Sequence, residues 1–427
     1  MNAVLGKNKL NYLYVAFVIE LLLVFYLRNE LGFVVSPLLM VITGLFIAYF
    51  PILLIKKNND ELLLNQAPAD LADIKPKAFW LTFGVLILIY WIWSAILFDV
   101  KPIDINQSDI VPFIKEVYLD RLFNGQAVYS KYTGFNYGTF TPSYLPAHWS
   151  PFVIPYLLNI DLRWACVGVF SLATYFYTRY LWQIDKSKSS ILKLVLPWLL
   201  VFSIYVKQPK DAAHTIEIMI MGYYLILGVF IFSNRVFMRA IGLILPLFSR
   251  YALMFWLPVY AVIQWLSNRK LFTTLLIWGI VLVSIVFLPF IIQTPEMYKD
   301  FNGNYLHGII NEWQGQSWQK PGARPFQLFQ GMGVASWFYF WFDGSLPDKI
   351  NAIKNALFIS SVIFMMMQIV LVLRLAFKKH AELIALLTLK AALTIFYVFI
   401  MVPYVYLNWV PLVISVVILS RVKNIKA

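Results

Sequence analysis

Apolar residues run along this chain in long unbroken blocks. They neither alternate with the period of a half-buried strand nor recur as the single stripe of a surface helix. Residues 10–27, 33–55 and 79–98 form the first three blocks. Each is long enough to cross a hydrocarbon core of about 30 Å as a helix. Further blocks cover 164–182, 191–206, 216–232, 271–292, 352–377, 383–400 and 402–419. The stretch 236–265 is interrupted by Ser249-Arg250. That break predicts two short crossings or a re-entrant hairpin, and in either case a return to the side the chain left. The predicted fold is all-α: a polytopic transmembrane helix bundle of about 10–12 spans, with two outer loops bearing interfacial helices. It divides into an N-terminal hairpin with a polar loop (1–78), a module carrying the first long loop 99–161 (79–270), and a module carrying the second, 293–351 (271–427).

Composition narrows the class further. Of 427 residues, 61% are hydrophobic and only 13% charged, against about 25% charged in soluble domains. Lipid is the solvent that fits this surface. Aromatic residues reach 18% and cluster near the ends of the blocks, as interfacial anchors do. No small-residue cleavage site follows the first block, which predicts a retained anchor. The single cysteine, Cys166, lies in an apolar block and has no partner for an intrachain disulfide.

The formal charge of +14 reads as topology rather than affinity for nucleic acid, because the cations sit between the apolar blocks. With a cytoplasmic N-terminus, Lys56/Lys57, Lys186/Lys188, Arg235/Arg239, Arg269/Lys270, Lys378/Lys379 and Arg421/Lys423/Lys426 all fall inside. Both long polar loops then face outward, away from ATP and sugar nucleotides. The expected location is a bacterial inner membrane with both termini cytoplasmic. No phosphate-binding GxxxxGK[ST] loop or dinucleotide fingerprint is present.

The first long loop carries most of the candidate chemistry. Ser108-Asp109 precedes Pro112, and Ile110, Phe113, Ile114 and Val117 then recur at helical spacing. This predicts an N-capped helix lying in the membrane interface and ending near Asn124-Gly125. A tyrosine- and proline-rich return follows, with Tyr129, Tyr144-Leu145-Pro146, His148 and Trp149. His214 and Glu217 stand one helical turn apart at the head of a later block, and Arg250 precedes Tyr251–Pro258.

The order and sidedness of these motifs resemble the GT-C superfamily of glycosyltransferases, in particular its bacterial mannosyltransferase-like branch. The likeness runs over about residues 79–265. In that superfamily an acidic loop usually follows the first span, whereas here it follows the third, so residues 10–55 read as an added hairpin. The resemblance implies transfer of a sugar from a polyprenyl-phosphate donor to a glycan, lipid or protein acceptor on the outer face. A phosphate leaves as an anion, so one carboxylate base plus positive charge suffices, and a single displacement inverts the anomeric centre. Asp109 is the expected base and Asp104 the second choice. Arg250, Lys207, Lys210, His214 and Glu217 make up the set expected around the donor phosphate. Tyr129, His148, Trp149, His307, Trp313 and Arg324 are expected to shape the acceptor and sugar site.

Each of these residues also has a plainer role open to it. Asp109 suits a helix cap, Arg250 a boundary cation, and the aromatics an interfacial belt. No His/Cys spacing marks a metal site and no cofactor is expected, although a lone divalent cation held by carboxylates is compatible with the chain. The expected partners are the lipid-linked sugar, its acceptor and membrane lipid. An envelope-glycan polymerase or ligase and a transporter or flippase of lipid-linked substrates are the rival readings. Glu20 and Lys390 lie within apolar blocks, where ionisable groups are expensive, and either a structural pair or snorkelling to the interface is open to them.

Overall fold

The structure is a computed structural model and describes residues 11–56, 75–103, 110–134, 139–294, 301–315, 322–375 and 380–421. The described chain is almost wholly helical. Its helices in order are α1 (Asn11–Leu22), α2 (Arg28–Lys56), α3 (Pro76–Val100), α4 (Ile110–Ile114), α5 (Asp120–Phe123), α6 (Pro146–Trp149), α7 (Val153–Leu157), α8 (Trp164–Ile184), α9 (Ser189–Lys207) and α10 (Pro209–His214). There follow α11 (Glu217–Phe230), α12 (Val236–Leu247), α13 (Leu257–Ser267), α14 (Arg269–Gln293), α15 (Phe301–Gln314), α16 (Ala335–Trp341), α17 (Leu346–Arg374), α18 (Ala381–Val398) and α19 (Trp409–Arg421). Extended structure among the described residues is a two-stranded ribbon, with Tyr132 opposite Phe140 and Thr133 opposite Thr139.

Six helical segments are long and apolar enough to cross a bilayer: Asn11–Leu54, α3, α9, α14, α17 and α18. In hydrocarbon every backbone group must be satisfied within the segment, and the helix does this. Long outward faces confirm the solvent. On α14, Ile277, Ile285 and Ile292 are each at least 61% exposed, and comparable rows line α3 and α17. A face this apolar and this continuous does not suit water.

The core lies between the helices that this outer ring surrounds. Every residue of α11 is buried, and so is nearly all of α18 and α19. Among these, α11 packs on α8, α12 and α19, and α18 packs on α2.

The first segment folds back on itself. Glu20 bonds Lys390 at 2.7 Å, while a Cβ on Gly44 would meet Thr394, one turn further along α18, at 2.6 Å. A straight helix would separate Glu20 and Gly44 by about 36 Å. The reversal is at Gly32, whose φ of 71° and ψ of 179° break the helix. A side chain is strained at that φ, and glycine is not. Residues 28–31 therefore finish the first arm, and the second arm runs from Phe33, where the second apolar block begins. The last block differs from its pattern. Residues 402–419 do not form one helix: Val405–Asn408 is a 3₁₀ turn and α19 starts at Trp409. Pro411, with no N–H to donate, fits in that first turn and not in a helix interior.

Glu20 and Lys390 are both fully buried. Ser415 Oγ donates to the second Glu20 oxygen at 2.9 Å, and Lys390 also donates to the Pro411 carbonyl at 3.1 Å. The charged pair is thus fully satisfied where α1, α18 and α19 meet.

Contacts sort the connections into two ends. At one end Arg421 lies over Phe232 at 3.7 Å, Arg239 meets Glu382 at 3.1 Å and Lys193 meets Asp185 at 2.7 Å. At the other, Trp313 donates to the Met401 carbonyl at 2.9 Å, Trp409 to Gln208 at 2.8 Å and Trp337 to the Phe33 carbonyl at 2.8 Å. Both long loops share this second end, which is called the loop end below.

Candidate functional site

Three helices stop short. α11 has 14 residues, α12 has 12 and α13 has 11. At 1.5 Å per residue none exceeds about 21 Å, well under a hydrocarbon core of about 30 Å. α11 and α12 are joined by a tight turn, with Phe232 N–H bonded to Val229 and Ser233 N–H to Phe230. Their far ends therefore reach similar depth. Glu217 opens α11 and Arg250 follows α12, and these two residues form an ion pair. The pair lies recessed from the loop end, at a depth where ionisable groups are costly and mark function.

The first long loop descends onto this pair. Its helix runs from α4 through a π-turn at Lys115–Leu119 into α5. It stops at Gly125, where φ is 68° and Gln126 N–H bonds the Arg121 carbonyl at 2.8 Å. The aromatic return is then tied down by side chains. Tyr129 donates to the Tyr144 carbonyl at 2.7 Å, Trp149 donates to the Tyr129 hydroxyl at 3.1 Å, and Tyr118 accepts from Tyr144 N–H at 2.8 Å. This cage delivers His148. Its ring stacks on Tyr144 with centroids 4.0 Å apart, and its Nδ1–H donates to the Ser249 carbonyl at 3.3 Å. That bond fixes the tautomer and makes Nε2 an acceptor. Burial, then the positive charge of Arg250, lowers the His148 pKa to about 3, so the ring is neutral at any physiological pH.

The resulting constellation is underused. His148 Nε2 and Arg250 Nε are buried without a hydrogen-bond partner. Glu217 meets the Arg250 guanidinium through Oε1, yet neither of its oxygens has a conventional hydrogen bond. Glu217 is 1% exposed and Arg250 24%, so the carboxylate anchors the guanidinium from below while part of the fork reaches an accessible surface. Native interiors rarely leave several such groups unsatisfied in one place.

Tyr406 joins this centre to its surroundings. It lies within electrostatic reach of Arg250, Asp211, Tyr144 and Glu312, which come from four separate connections. Glu312 accepts from Tyr404 at 2.9 Å and leaves Oε2 unpartnered. Asp211, on α10, is raised above the ordinary carboxylate range by burial and drawn back by Arg28, Lys210 and His214.

The sequence-derived residues are distributed as follows. Arg250, Glu217 and His148 stand together. His214 and Lys210 border Asp211. Lys207 turns away, with its ammonium 4.3 Å from the Tyr26 ring centre. Tyr129, Trp149 and Trp313 are buried, and the hydrogen bonds of their polar atoms are made within the fold. Arg324 is exposed and packs over Phe329 and Phe340 at 5.2 Å. His307 lies on α15, whose described side chains begin at Gly308. Asp104 and Asp109 lie outside the described residues. Among the described residues no three His, Cys, Asp or Glu side chains gather as metal ligands do.

Sequence reasoning missed Asp211, Arg28 and Tyr406. Asp211 had a legible signal, being acidic three residues before His214 on the same turn. Arg28 and Tyr406 had none, because only the fold-back at Gly32 and the broken last block bring them here. Comparison with known proteins finds no matching family model, no matching curated protein and no matching solved structure.

Proposed function

We propose that this chain is a membrane-embedded inverting glycosyltransferase that takes a sugar from a polyprenyl-phosphate donor at the loop end, with that end facing away from the cytoplasm. The observation that carries the proposal is the recessed Glu217–Arg250–His148 centre, with an unsatisfied donor on Arg250 and unsatisfied acceptors on His148 and Glu217 gathered below the aromatic loop. A substrate anchored by a polyprenyl chain presents its phosphate just inside the membrane surface, and the recess that the short helices leave at the loop end suits that depth. Arginine offers five donors in a planar fork and suits a phosphate ester. One bond to Glu217 leaves most of that fork for the ligand. His148, neutral and fixed as an acceptor, can receive a sugar hydroxyl. With its pKa so low it is a poor base, and Glu217 is committed to Arg250. The base role therefore stays with Asp109, which in sequence stands two residues before Val111 and five before Ile114, both buried.

A flippase reading would need a polar path through the bundle. At the opposite end of the bundle, called the turn end, Lys193, Arg239 and Arg421 are instead held by a carboxylate or an aromatic ring, and the mid-bundle pair Glu20–Lys390 is satisfied and sealed. Transfer at one end fits these features better than passage.

Binding of polyprenyl monophosphate, the carrier left after transfer, tests the role of Arg250. Purified protein in detergent is expected to bind it saturably and to ignore the uncharged polyprenol. Arg250→Ala is expected to weaken binding by roughly 10–100-fold, the usual weight of a charge-assisted contact. Equal binding by the variant would remove the phosphate from Arg250. The side on which the site lies is tested separately by impermeant thiol labelling of Gln126→Cys and Lys186→Cys in a Cys166→Ala background. Intact cells should label the first and not the second, and the reverse pattern would place the site in the cytoplasm.

A further inference from the structure

We infer that the turn end carries a separate binding site for the phosphate head group of an anionic lipid, between the end of α8, the α11–α12 turn and the start of α12. A cavity of about 310 Å³ opens there. Arg179 from α8 and Arg235 from the turn both line it. Both are exposed, and neither has an ion-pair partner among the described residues. Tyr180 also lines it; the residue is 8% exposed, and its hydroxyl is buried with no hydrogen-bond partner. Arg421 packs against two of the lining residues, with its guanidinium over Tyr180 at 4.9 Å and Phe232 at 3.7 Å and its Nε unpartnered.

The local charge is strongly positive. Glu382 lies within electrostatic reach of Arg421, and it is bonded to Arg239 at 3.1 Å. Asp185, at the end of α8, is held by Lys193 at 2.7 Å and by Ser187. An anion entering the cavity would thus meet Arg179 and Arg235 with the local carboxylates already committed. The positive end of the α12 dipole adds to this field. Cations at this end of a membrane protein serve topology wherever they stand. Topology does not require them to line a cavity beside a buried, unanswered hydroxyl.

The chains of the ligand have a track as well. Leu172 and Tyr175 are 50% and 38% exposed, and they lie seven and four residues before Arg179, on the same helical face. A head group at Arg179 would lay its acyl chains along them. That continuity favours a lipid over a free phosphate compound, although the two share the chemistry that the arginines read.

The test uses the full-length protein purified in mild detergent. Co-purified lipid is identified by mass spectrometry. Affinity is then measured by titration with phosphatidylglycerol, phosphatidylcholine and inorganic phosphate. The wild type should retain anionic phospholipid and prefer phosphatidylglycerol to phosphatidylcholine. Arg179→Gln combined with Arg235→Gln should lower that affinity by roughly 30-fold, as expected for two cations at a head group. Tyr180→Phe, which keeps the ring, should lower it several-fold. Lys186→Gln, at the same end but outside the cavity, should change little. Equal loss in Lys186→Gln would mean general surface charge and would overturn the site. So would equal retention by the double variant. Saturable binding of inorganic phosphate without any preference among lipids would overturn the lipid assignment.

Discussion

At the scale of single residues, the decisive property of the centre is the protonation that its surroundings impose. Burial first, and then the neighbouring charge of Arg250, holds the His148 imidazole well below its usual pKa and so neutral. Glu217 is fixed by its ion pair. Neither is suited to take a proton from an acceptor hydroxyl, so the account depends on Asp109. Asp109→Asn should keep the fold, since Asn also caps helices, and should keep binding of the carrier phosphate. Turnover should fall by roughly 10²–10⁴-fold, the contribution of a general base. Asp104→Asn should cost much less. Full activity in Asp109→Asn would leave that residue as architecture only. The sequence singled out Glu217, Arg250 and His148 one at a time. It could not pair them, because their meeting depends on where two short helices end and on a loop that drops 101 residues away from its contact at Ser249.

At the scale of elements, the apolar blocks announced the helices, and Ser249-Arg250 announced the break between α12 and α13. The ends were less legible. The π-turns at Leu23–Leu27 and Lys115–Leu119 leave no mark in a pattern of apolar residues. The fold-back at Gly32 shortened one connection, and Pro411 shortened the last helix. The N-terminal hairpin is docked by the Glu20–Lys390 pair and by the close approach of Gly44 to Thr394. A buried pair stripped of one partner leaves an uncompensated charge. Lys390→Met should therefore destabilise by about 3–5 kcal/mol, while Glu20→Leu with Lys390→Met should recover most of that loss. Thermal unfolding in detergent, followed by intrinsic fluorescence, separates the two outcomes. A double variant as unstable as the single one would mean that the pair does more than satisfy itself.

At the scale of the whole molecule, the fold sets a lipid-facing ring of α3, α14 and α17 around a buried core of α11, α18 and α19. It gathers four connections at one end, where Tyr406 lies within reach of all of them. Composition and block length make this a membrane protein without reference to any relative. The proposed reaction rests on the recessed polar centre and on the motif order of the first long loop. Donor choice tests it most directly. Purified protein in liposomes would be given a panel of radiolabelled polyprenyl-phosphate hexoses or the corresponding sugar nucleotides, together with an envelope extract as acceptor, and label moving to the acceptor would be counted. The account predicts transfer from a polyprenyl-phosphate sugar, none from any sugar nucleotide, and loss of transfer in Asp109→Asn. Direct transfer from a sugar nucleotide with no lipid intermediate would contradict it.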